Sequence, residues 1–240
     1  MHEPTRYAQP MRHLPLLLVI ACVGDPPEPQ STTYLRGTLR NLLQGGIADV
    51  RVCIAEIDRC TTTDGQGHFL VEQLPEDTDV TVLIDKDGLF PVALPHHTAD
   101  SEPPWDKTLL TTGLMESQAN RADTELDPEL GHFTFMVHQA HFSEGKVEQS
   151  EGVALRLEPS GGVPYYLTSG LQRADPDLTA TTRSGGGGVL NLSPGDYLVH
   201  FQAGGPCSRI LSWDFAPGEP VPVPILAGRG TYIDVLCPEP

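Results

Sequence analysis

From residue 34 onward, apolar side chains recur at every second position in short runs. Leu35 and Leu39 do so over 34–40, Val50, Val52 and Ile54 over 50–54, Phe69 and Val71 over 67–71, and Val80, Val82 and Ile84 over 80–84. A period of two places one set of side chains on one face of an extended strand. The runs are separated by Gly45-Gly46, Asp64-Gly65 and Leu74-Pro75-Glu76-Asp77, all residues that favour turns. A second set begins near Gly131. Phe133, Phe135 and Val137 share a face over 132–137, a strand follows over 153–157, and 188–199 carries two strands around Pro194-Gly195-Asp196. The tail adds strands over 210–214 and 231–236. Short alternating runs with turn residues between them predict an all-β sandwich architecture. One stretch predicts a helix: Leu114 to Asn120, capped by Thr112 or Gly113.

The N-terminal pattern is different. Met11-Arg12-His13 precedes an uninterrupted apolar run over 14–21 that ends at Cys22. A spanning helix needs about 20 apolar residues, so this run suits a cleavable signal peptide and not an anchor. The sequence Val19-Ile20-Ala21-Cys22 resembles the lipobox of a bacterial lipoprotein. That resemblance implies cleavage before Cys22, a diacylglyceryl thioether and an N-acyl chain such as palmitate on Cys22, and a lipid bilayer as partner. Two or more acyl chains hold a protein stably where one does not. The expected location is the bacterial cell envelope, lipid-anchored and extracytoplasmic. Val23, in place of Asp, follows the cysteine, so the outer membrane or cell surface is expected over the inner membrane. Translation from Met11 is expected as an alternative start, because Glu3, Pro4 and Pro10 do not suit a basic leader.

A second resemblance rests on Gly37-Thr38-Leu39, Gly46-Ile47-Ala48-Asp49-Val50-Arg51-Val52, Thr63-Asp64-Gly65-Gln66-Gly67-His68-Phe69, Leu74-Pro75 and Val80-Thr81-Val82. Together these look like a carboxypeptidase regulatory-like domain, which implies a transthyretin-like β-sandwich. Asp64-Gly65 suits the positive φ of a hairpin turn, and Gly67 lets the next strand leave it without a Cβ clash. Glu76-Asp77-Thr78-Asp79 departs from the family, which has Gly and an aromatic there. Leu192-Ser193-Pro194-Gly195-Asp196-Tyr197 repeats the Leu-Pro part of the pattern, so the second half reads as a divergent copy. The expected organisation is a signal peptide over 1–21, a lipidated cysteine and Pro-rich tether over 22–33, a sandwich over 34–98, a linker with a short helix over 99–128 and a second transthyretin-like or Ig-like sandwich over 129–240.

Composition narrows the partners. The chain has 15 Lys and Arg against 32 Asp and Glu, a formal charge of −17. Such a surface repels phosphate backbones, so nucleic acid is excluded as a partner class. Of five cysteines, lipidation removes Cys22 and leaves an even four, as expected in an oxidising compartment. Pairing Cys53 with Cys60 and Cys207 with Cys237 keeps each disulfide within one half. Closed loops of 8 and 31 residues would contribute about 2.5 and 3.7 kcal/mol in the chain-entropy picture.

Candidate chemistry is sparse. His141 and Glu144 have the His-x-x-Glu spacing of a metallocarboxypeptidase zinc site, but the strands that follow leave no room for the large α/β domain such a site needs. His132 and His138 share the strand parity opposite Phe133 and Phe135, which places them outside the core as a solvated face. His96-His97 with Asp100 reads the same way. Tyr165-Tyr166 with His200 lacks the second histidine of a tyrosinate iron site. Gly185 to Gly188 sits where the first half has a hairpin and lacks the Lys-Ser/Thr of a phosphate loop. Trp105, Tyr166 and Trp213 are the candidate glycan contacts, since exposed rings stack on sugars. The expectation is a non-catalytic binding or scaffold protein with no cofactor and no metal, acting on an envelope protein or glycan. A carbohydrate-binding surface lipoprotein is the alternative, and a cryptic metal-dependent hydrolase stands behind it.

Overall fold

The computed structural model describes residues 32–99, 104–139, 148–170 and 172–238. Cys22, Asp100, His141 and Glu144 lie outside the described residues. The first half carries β1 (Thr32–Arg40), β2 (Arg51–Ile54), β3 (Arg59–Thr62), β4 (His68–Pro75), β5 (Asp79–Asp85) and β6 (Val92–His97). Then come β7 (Trp105–Thr108) and helix α1 (Thr112–Arg121). The second half carries β8 (Gly131–Gln139), β9 (Ala154–Glu158), β10 (Val163–Leu167), β11 (Ala174–Asp175), β12 (Gly186–Leu192), β13 (Gly195–Gln202), β14 (Ser208–Leu211), β15 (Val221–Ile225) and β16 (Gly230–Cys237). The fold is all-β, and the one helix among the described residues is the one expected. Its N-cap is Thr111, one residue earlier than anticipated, whose Oγ1 accepts from the Leu114 N–H at 3.3 Å.

One long sheet runs through both halves in the order β11-β10-β12-β8-β16-β6-β5-β2-β3. A small sheet β4-β1-β7 faces its first part, and another, β15-β13-β9, faces its second. β16 joins the parts. Along one edge it pairs in parallel with β8, from Gly230↔His132 to Cys237↔Gln139. Its other edge is shared: Gly230 and Thr231 pair with Val92 and Ala93 of β6, and Asp234 to Leu236 pair with β14. Side chains alternate faces along a strand. Ile233 and Val235 enter the core under β13, with Phe133, Phe135, Tyr197 and Val223, while Tyr232 packs against the other core, with Leu35, Leu39, Phe69 and Val82. The two small sheets therefore cover opposite faces of the long one.

The stretch expected as a linker contributes to both halves. β7 adds a parallel strand to β1, with Gly37 opposite Trp105. Met115 and Ala119 of α1 pack with Phe90, Tyr165 and Leu190 on the face of β10 and β12 turned away from β13. The glycine run is also placed differently from expectation. Gly186, Gly187 and Gly188 lie within β12, between β8 and β10, and not in a hairpin. A Cβ on Gly188 would stand 2.3 Å from the Phe133 carbonyl oxygen. Both expected disulfides, Cys53–Cys60 and Cys207–Cys237, are formed. The first joins directly opposed residues of β2 and β3.

The Asp64–His68 turn corrects one further detail. Positive φ falls on Gly67 (82°), not on Asp64 or Gly65. Asp64 shapes the turn by accepting from the Gln66 and His68 N–H groups, both at 2.9 Å. At Gly67 a Cβ would meet the Leu39 carbonyl oxygen at 2.4 Å and the Ile47 nitrogen at 2.8 Å. These are backbone atoms that cannot rotate away. Gly67→Ala is therefore expected to lower stability by more than about 1 kcal/mol, where an unstrained Gly→Ala change would raise it. Urea unfolding checks this, and an unchanged or raised midpoint refutes the steric account.

Candidate functional site

Among the described residues, the buried carboxylate lies where β7 faces β16. Asp234 is 4% exposed. Its Oδ2 accepts from Lys107 Nζ at 2.5 Å. Its Oδ1 accepts from the Tyr232 hydroxyl at 2.6 Å and from His138 Nε2 at 3.0 Å. The Lys107 ammonium also lies 5.3 Å from the Tyr232 ring centroid. Burial alone would push the Asp234 carboxyl up. The His138 hydrogen bond, the charge and hydrogen bond of Lys107, and the Tyr232 hydroxyl outweigh it and hold the group at about 2. Burial, and then the charge of Asp234, push the Tyr232 phenol well above its usual range. Three strands supply these groups, and each is engaged by another. The arrangement fastens β7 and β8 to β16.

Beside this cluster is a cleft of about 320 Å³, bounded by the end of β6, the start of β7 and β14. It opens where the edge of β16 passes from β6 to β14. His96, His97, Trp105, Lys107, Arg209 and Leu211 line it. His96 meets Trp105 edge-on, with ring centroids 4.7 Å apart. His97 lies between two carboxylates, Nδ1 to Asp79 at 2.8 Å and Nε2 to Asp77 at 3.1 Å. Asp79 Oδ1 also accepts from the Asp214 N–H at 2.8 Å, and Trp213 Nε1 donates to the Val80 carbonyl at 3.0 Å. These bonds strap the segment after β14 onto β5.

The residues singled out in the sequence are not gathered into one site. Trp105 and Tyr166 are only 8% and 6% exposed, and each belongs to a different core. Trp213 is half-buried, with its indole N–H committed to Val80. The three rings do not form the flat exposed face that sugar stacking requires. Tyr165 and Tyr166 point to opposite faces, as alternation dictates, and burial raises both phenols above their usual range. Among the described residues no three His, Cys, Asp or Glu side chains are arranged to hold a metal. His132 corrects an expectation. It is 1% exposed, not solvated, because Phe90 covers it at 5.6 Å between centroids and α1 closes the neighbouring part of that face. Its Nδ1 accepts from the Asn191 N–H at 3.2 Å. The Asp234 cluster and the cleft were missed in the sequence. The available signal was the near-continuous apolar run Tyr232 to Cys237 interrupted by one Asp, the mark of a strand covered on both faces.

No protein-family model matches the chain, and no curated protein matches it. Among solved structures it is similar to the Bacillus anthracis TIE protein, at 10% identity and a TM-score of 0.30, over 87% of this chain and 34% of that one. It is similar to the minor pilin of Streptococcus agalactiae at 16% identity and a TM-score of 0.28, over 86% and 97% of the two chains. It is similar to the major pilin subunit of Bacillus cereus at 11% identity and a TM-score of 0.27, over 86% and 60%. The chain thus spans about a third of the first of these proteins.

Two outcomes test the buried titratable groups. Burial lowers His132 to about 4, against a smaller opposing pull from Asp127. The unfolded chain takes up this proton near pH 6.5 and the folded chain only near pH 4, so stability falls as pH drops between these values, by roughly 3 kcal/mol. Urea titrations across that range should show the loss, and His132→Gln should flatten it; an equal slope in the variant refutes the assignment. Asp234→Asn removes one side of a buried ion pair and leaves Lys107 uncompensated. It is expected to cost about 3–5 kcal/mol at neutral pH. Because the folded pKa lies below the unfolded one, the deficit relative to the parent should shrink between about pH 4 and pH 2. A deficit independent of pH would show that packing, and not charge, sets it.

Proposed function

We propose that this chain is a non-catalytic, extracytoplasmic binding or scaffold protein of a bacterial envelope, held to a membrane by acyl chains on Cys22. The observation that carries this reading is the use of cysteine. Cys53–Cys60 and Cys207–Cys237 consume four of the five, and the one left over is Cys22, at the end of the lipobox-like run. Disulfides persist in oxidising compartments. Among the described residues no helix is long and apolar enough to cross a membrane.

The scaffold role rests on two supports. The 34–95 stretch resembles carboxypeptidase regulatory-like domains, which are commonly folding, interaction or spacer modules. β16 ties both halves into one sheet, so they offer their surfaces as a single body. Glycan binding through Trp105, Tyr166 and Trp213 is the weaker reading, because two of those rings are core residues. Envelope fractionation tests the anchor. The parent should stay with membranes through a high-salt wash, and Cys22→Ser should be released. Intact mass should give a mature chain that begins at Cys22 and carries acyl groups. A mature N-terminus upstream of Cys22, or no added acyl mass, would sink the proposal.

A further inference from the structure

We propose that the cleft between β6, β7 and β14 binds a small ligand that carries an oxyanion, a carboxylate or a phosphate, on a body of about one sugar ring, with Arg209 as its anchor. Arg209 lines the cleft, and its side chain is 31% exposed. The nearest carboxylate oxygen paired with it, Asp214 Oδ1, is 3.9 Å away and beyond hydrogen-bond reach. An oxyanion is the group whose geometry the guanidinium fork matches, and it would supply the close contact that Asp214 does not.

The rest of the lining agrees. Lys107 also lines the cleft and adds positive charge there, its ammonium being held by Asp234. Asp106 is the single carboxylate on the lining, and both of its oxygens accept from Arg40 Nε, at 2.8 and 3.0 Å. It is therefore neutralised from the outside. Trp105 and Leu211 give the cleft an apolar floor. The volume of about 320 Å³ falls at the small end of ligand sites, about 300–1,000 Å³, which sets the limit of one ring. The walls come from β-strands and are fixed by the handover along β16, so the site is present before a ligand arrives. With a formal charge of −17, the chain as a whole repels anions, so affinity must come from these short contacts. The inference goes beyond the tethered-scaffold reading and does not depend on the anchor.

The test is an NMR titration of the full-length chain with galacturonate, glucose 6-phosphate and glucose, following the Arg209 Nε–H and the Trp105 signals. At least one of the two acids should shift both signals saturably, and glucose should not. The tighter acid identifies the headgroup. Arg209→Ala should weaken binding by about ten-fold or more, Arg209→Lys should weaken it less, and Arg36→Ala, on β1 away from the cleft, should leave it unchanged. No shift up to about 10 mM of either acid overturns the proposal, as do equal shifts with glucose or unchanged affinity in Arg209→Ala. If Arg209→Ala does not fold, Arg209→Lys decides: weaker binding supports the proposal and unchanged binding overturns it.

Discussion

The two-faced pairing of β16 is the constraint on which the rest of the structure depends. Its backbone is hydrogen-bonded to β8 on one edge, and to β6 and then β14 on the other. Its side chains alternate between two separate cores. Its two parallel partners, β6 and β8, lie far back in the sequence. Parallel pairing over such distances needs long loops to be closed before contacts compensate, which raises the entropic cost of forming the sheet. The Cys207–Cys237 disulfide holds β16 at its far end, beside β14.

The Asp234 cluster follows from that geometry. With both faces covered, β16 has no exposed position, and position 234 falls under β7. An ion pair there is worth little against an apolar pair of equal size, but a lone charge is strongly unfavourable. A slip of β7 along β1 would leave Asp234 without Lys107. The cluster thus discriminates among arrangements more than it adds to stability, and it links the position of a strand in the first half to the end of the second.

The legible parts of the fold were those with one wet face. β1 alternates cleanly in sequence and in burial, as does β4 up to Val71. The turn residues between them and the helix cap stood within a residue or two of their places. β6 was not legible, because Val92-Ala93-Leu94-Pro95-His96-His97 is buried at four consecutive positions and shows no period of two. β7 is too polar to read as a strand until its pairing with β1 is known. β15 contains Pro222 and Pro224, which argue against a strand; it is tolerated as an edge, paired on one side with β13. His132 was misplaced for a related reason. An antiparallel sandwich strand has one solvated face, but β8 lies inside a sheet covered on both faces. Pairing of Cys53 with Cys60 and of Cys207 with Cys237 was legible, because it needs only that the partners lie within one half.

The same handover along β16 explains why a cleft exists where it does. β6 and β14 share one edge of β16 but are not continuous, so a gap must open between them. The chain places cationic and aromatic side chains around that gap, and binds the segment after β14 to β5 through Asp79 and Val80. A group bound there would touch β6 and β7 of the first half and β14 of the second at once. Its contacts would then add to the pairing of β16 in holding the two halves together.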